Sequence, residues 1–101
     1  MADHIDPQEE MLTAVVITFP SSHYAFQAEK ACQEADIPVM LIPLPREIGA
    51  DCGVALLIPP KLQERASEVL AQAGVTPADT HQISRQRSRA RLWLRVLHLD
   101  D

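Results

Sequence analysis

Proline placement constrains this chain more than any other feature. The eight prolines stand at 7, 20, 38, 43, 45, 59, 60 and 77. Each removes a backbone donor and fixes φ, and each pushes the residue before it out of α geometry, so each marks an end, an edge or a turn. Between them lie short segments with distinct periods. Leu12 to Phe19 (LTAVVITF) is apolar and β-branched, a buried strand that Pro20 closes. Ser21 or Ser22 then suits a helix N-cap. Ala25, Ala28, Cys32 and Ala35 recur at three- and four-residue spacing, which predicts a helix over about 22–36, stopped by Ile37 ahead of Pro38.

Ile37 to Pro43 (IPVMLIP) and Val54 to Ile58 (VALLI) read as a second and a third strand. Pro59-Pro60 ends the third strand and opens a second helix, whose apolar face is Leu62, Ala66, Val69, Leu70 and Ala73. Gly74 stops that helix. Asp79 to Ser84 is weakly apolar and reads as a short edge strand.

The order β-α-β-β-α-β is the ferredoxin-like split pattern of an α+β fold. Right-handed crossovers then require an antiparallel sheet ordered 4-1-3-2 with two helices on one face. A small α/β sandwich of different strand order is the alternative. The chain divides into an acidic lead-in (1–11), an α+β domain (12–84) and an Arg-rich amphipathic extension (85–101). In the extension, Leu92, Trp93, Val96 and Leu97 form a stripe, and Ser88 could cap a helix over about 89–99. Leu92, Leu94 and Val96 also alternate, so a strand stays open. The stripe either covers the open sheet face or pairs with a second copy, giving a homodimer.

Composition narrows the function. At 101 residues, 47% of them hydrophobic, the chain makes one domain with a core that needs no staples. No apolar run approaches the ~20 residues of a membrane span. The N-terminus lacks the basic start and apolar block of a secretory signal, so a cytoplasmic location is expected, with Cys32 and Cys52 reduced. A net charge of −5 argues against nucleic-acid binding, although Arg85, Arg87, Arg89, Arg91 and Arg95 cluster late. The two cysteines stand twenty positions apart, with no CxxC or HxxxH, so no metal site is expected. There is no glycine-rich phosphate loop, no cofactor motif, and no serine or paired-carboxylate hydrolase pattern.

Chemistry is expected in the connection Leu44-Pro45-Arg46-Glu47-Ile48-Gly49-Ala50-Asp51-Cys52-Gly53, where a thiol, an arginine and two glycines meet. Gly53 would permit a turn or close approach that a side chain blocks. The split topology puts the end of strand one and the start of helix one at the same end of the sheet as this connection. Ser21, Ser22 and His23 would then share a rim with Arg46 and Cys52. Free N–H groups at the helix start and the Arg46 charge favour a thiolate, the reactive form, while Asp51 opposes it. A packing role for Cys52, ion pairing of Arg46 with Glu47, and a solvated His23 are the alternatives. Cys32, on the apolar helix face, reads as a buried hydrophobe.

Several short stretches, taken together, are familiar: Thr18-Phe19-Pro20-Ser21-Ser22-His23, Ala28-Glu29-Lys30, Ile37-Pro38, Ile42-Pro43-Leu44-Pro45-Arg46-Glu47-Ile48 and Cys52-Gly53. In this order they resemble the selenium/sulfur carrier-like family of small bacterial proteins, over about residues 12–84. The resemblance implies that Cys52 holds a persulfide or perselenide, received from a donor protein and passed to an acceptor. That is the work of a carrier more than of a stand-alone enzyme. Gly49-Ala50-Asp51 stand where the family often has serines, and the Arg-rich extension lies outside the family core. The competing reading is a non-catalytic small-molecule-binding or regulatory module.

Overall fold

The computed structural model describes residues 10–49 and 53–97. In chain order the elements are β1 (Met11–Thr18), α1 (Ser22–Glu34), β2 (Met40–Pro43), β3 (Val54–Ile58), α2 (Gln63–Gln72), β4 (Asp79–Gln86) and α3 (Leu94–Leu97). A 3-10 turn at Pro60–Leu62 leads into α2, and two more, Arg87–Arg89 and Arg91–Trp93, precede α3. The four strands form one antiparallel sheet in the order β2-β3-β1-β4. This α+β arrangement is consistent with the ferredoxin-like expectation.

Period-two alternation along β1 divides two cores. Val15 and Ile17 face one side, where Ala25, Ala28 and Cys32 of α1 and Ala66 and Leu70 of α2 cover them. The small side chains of α1 let that helix lie close to the sheet. Ala14 and Val16 face the other side, with Ala55, Leu57 and Ile83. That face is covered by the chain's own C-terminal segment: Ala90, Trp93 and Val96 are buried against it, and Leu97 packs at its margin.

Both helices end in the same way. Asp36, at φ 62°, occupies the left-handed position after α1, and the Ile37 N–H donates to the Cys32 carbonyl at 2.9 Å. Gly74, at φ 76°, does the same after α2, and the Val75 N–H donates to Leu70 at 2.9 Å. These are Schellman closures, and in each the following apolar residue (Ile37, Val75) drops into the helical-side core. Arg65 of α2 donates from Nη2 to the Ala35 carbonyl at 2.7 Å, tying the second helix to the end of the first.

Several boundaries differ from expectation. α1 stops at Glu34 because the left-handed Asp36 unwinds it before Pro38 acts. Ile37 serves that cap, so β2 begins only at Met40. Of the helix expected over 89–99, the described part is broken into a 3-10 turn and the short α3, because Ala90 adopts φ −135°, ψ 40° ahead of them; His98 and Leu99 lie outside the described residues. Residues 85 and 86 belong to β4, which pairs with β1 over eight positions from Thr18↔Asp79 to Met11↔Gln86.

Candidate functional site

The register fixes where the β2–β3 connection emerges. β3 pairs with β1 through Ile17↔Leu56 and with β2 through Pro43↔Val54. The end of β1, the end of β2 and the start of β3 therefore share one end of the sheet. α1 begins just beyond β1 at that end, with Ser21 as N-cap in extended geometry (φ −153°, ψ 162°). The Ser21 hydroxyl makes no capping bond, so the first-turn N–H groups of this thirteen-residue helix are not capped by it. Ser21 is half-buried, and Ser22 and His23 are exposed. The His23 ring meets Tyr24 edge-on, with centroids 5.5 Å apart.

The connection itself opens with two defined bonds. The Leu44 N–H donates to the Gly53 carbonyl at 3.1 Å, extending the β2–β3 ladder, and the Ile48 N–H donates to Pro45 at 3.0 Å, closing a turn over 45–48. Leu44 and Ile48 pack into the cluster on the face away from the helices. Glu47 reaches the Arg85 guanidinium of β4. The backbone N–H of Glu47 and then that guanidinium hold its carboxyl below the usual range.

These contacts sort the expected site residues. Arg46 is exposed, and among the described residues it has no hydrogen bond or ion pair. The pairing of Arg46 with Glu47 that the sequence left open is replaced by the Arg85–Glu47 pair. Among the described residues no bond joins Arg46 to Ser21, Ser22 or His23, and the turn that carries Arg46 leans to the opposite face from α1. At Gly53, where the sequence suggested a turn or a close approach, a Cβ would meet nothing within 4 Å among the described residues. Cys52, with Ala50 and Asp51, lies outside the described residues. Cys32 is fully buried in the helical-side core, and burial pushes its thiol pKa up.

Two features escaped the sequence reading. Arg85 alternates with Ile83 on β4 and so shares the face that the C-terminal segment covers; the period-two rule, applied two residues further, would have placed it there. The other is a cavity of about 490 Å³ between β2 and the C-terminal turns, with Met40, Ile42 and Trp93 in its lining. Among the described residues no three His, Cys, Asp or Glu side chains are grouped to hold a metal, and no helix is long and apolar enough to cross a membrane.

The chain is thus a small α+β domain with one thiol locked in its core. Residues 14–82 match the family described as "Putative Se/S carrier protein-like", and the chain belongs to that family. No curated protein and no solved structure matches it at a significant level. The match runs from within β1 to midway along β4 and ends ahead of the arginine-rich turns.

Proposed function

We propose that this protein is a cytoplasmic carrier that takes sulfur or selenium onto Cys52 as a persulfide or perselenide and delivers it to a partner protein. Family membership carries the reading. The burial of Cys32 supports it, because the chain has two cysteines and the core holds one of them away from any partner. The shared sheet end supports it as well. It brings the start of α1, which the Ser21 hydroxyl leaves uncapped and which carries a partial positive charge, to the end of the sheet from which the Cys52 connection leaves.

The step is a thiol–persulfide exchange. The Cys52 thiolate attacks the terminal sulfur of a donor persulfide. A new S–S bond forms on Cys52, the donor's S–S bond breaks, and its electron pair leaves on the donor thiolate. An acceptor thiolate repeats the exchange, so one cysteine suffices. A selenium cargo follows the same balance.

The test loads the protein with a cysteine desulfurase and cysteine, repurifies it, and adds excess dithiothreitol. Reduction of a persulfide releases one sulfide and regenerates the thiol. Sulfide release from the native protein and from Cys32→Ala, with none from Cys52→Ser, is the expected result. Release from Cys52→Ser, or none from the native protein, overturns the reading.

A further inference from the structure

The cavity beside β2 lies on the sheet face opposite the helices, and its chemistry is mixed. Met40, Ile42 and Trp93 give it apolar walls, while Arg85, Arg89 and Arg91 contribute cationic ones. Arg85 is neutralised by Glu47. Arg89 and Arg91 are exposed, and among the described residues their guanidiniums have no ion-pair or hydrogen-bond partner. Two guanidiniums with no partner among the described residues, beside an apolar hollow in a chain whose net charge is −5, mark a local reversal of sign. Such a site attracts an anion and rewards an apolar body attached to it. At about 490 Å³ the cavity falls in the range of small-ligand sites, roughly 300–1,000 Å³.

The edge strand argues against a peptide as the occupant. The Leu44–Gly53 bond fixes the ladder phase, so Met40 and Ile42 turn their backbone groups inward to β3. Leu41 and Pro43 turn outward, and Pro43 has no N–H. Within β2 only Leu41 offers an outward donor, which is poor support for an added strand.

We infer that this cavity binds a small carboxylate with an apolar body, its charge held by Arg89 and Arg91 and its body against Met40, Ile42 and Trp93. The site is separate from Cys52 and stands whether or not that thiol carries cargo. Both arginines lie beyond the residues that match the family, so the cationic side of the site comes from this chain's own C-terminal segment, while Met40 and Ile42 lie within the match.

Trp93 is the sole tryptophan and reports on the cavity directly. Octanoate is titrated into the full-length protein while tryptophan emission and binding heat are followed, with acetate and octanamide as controls for body and charge. Saturable octanoate binding is expected, weakened about fivefold or more in Arg89→Ala/Arg91→Ala, since each exposed charge contact is worth up to ~1 kcal/mol. Acetate and octanamide should each bind more weakly than octanoate. Both arginines are exposed, so circular dichroism of the double variant should match that of the native protein. No saturable heat, octanamide binding as tightly as octanoate, or indifference to the double substitution would each overturn the inference. Preference for an acidic apolar peptide over octanoate would overturn it in favour of a protein partner.

Discussion

At the residue scale, Asp36 is the clearest point of conflict between sequence and conformation. It holds φ 62°, where an L side chain crowds the following carbonyl oxygen, at a cost of roughly 1 kcal/mol. Gly74 fills the equivalent position after α2 without that cost. Asp36→Gly should therefore raise stability by about 0.5 kcal/mol, the relief exceeding the added chain entropy, and chemical denaturation with an unchanged m-value would show it. Gly53 presents the opposite case, since a methyl added to its Cα would be crowded by no neighbouring atom. Gly53→Ala should fold normally and gain up to ~1 kcal/mol from a less free unfolded chain. A loss of more than that would mean its backbone needs glycine after all. Cys32 was legible from its spacing on the apolar face of α1. Asp36 was not, because a Schellman closure normally announces itself with glycine or asparagine.

At the element scale, the turn over 45–48 is held from both sides. Ile48 sits in the core, and Glu47 pairs with Arg85. The Glu47 carboxyl is held below the usual glutamate range, so the folded state prefers it ionised. The pairing is fully present above the unfolded pKa, about 4.3, and is lost as pH falls below that through the lowered native value. An NMR titration should place the Glu47 carboxyl midpoint below that of an unstructured glutamate. Arg85→Ala should move the midpoint upward, yet not all the way, because the Glu47 backbone N–H remains. The pair was hidden in the sequence by its separation: Arg85 reads there as the first of a run of tail arginines, and only its strand partner Leu12 shows that it belongs to β4. The strong periods of β1, β3, α1 and α2 were readable because burial of one face dictates them. The C-terminal turns were not, since contact with the sheet, rather than a helical repeat, sets their shape.

At the scale of the whole molecule, the sheet is covered on both faces by a single chain. The helices shield one face, and Trp93 and Val96 shield the other. Of the apolar stripe in the C-terminal segment, Trp93 and Val96 are buried, Leu97 is partly buried, and Leu92 is 62% exposed. Trp93→Ala removes the largest side chain covering the face away from the helices and should cost about 3 kcal/mol or more, read as a lower denaturation midpoint. A loss below about 1 kcal/mol would mean that the segment detaches freely and leaves the face open. Its cover over Ala14, Ala55 and Leu57 explains how a sheet with an exposed edge strand avoids presenting an apolar surface as well.

The central claim is that the two thiols have opposite fates, one sealed in the core and the other loaded with cargo. Intact-mass spectrometry of Cys32→Ala and Cys52→Ala, each incubated with a cysteine desulfurase and cysteine, tests it most directly. The account predicts a reducible gain of one sulfur atom in Cys32→Ala and an unchanged mass in Cys52→Ala. A sulfur adduct on Cys52→Ala, or its absence from Cys32→Ala, would contradict it.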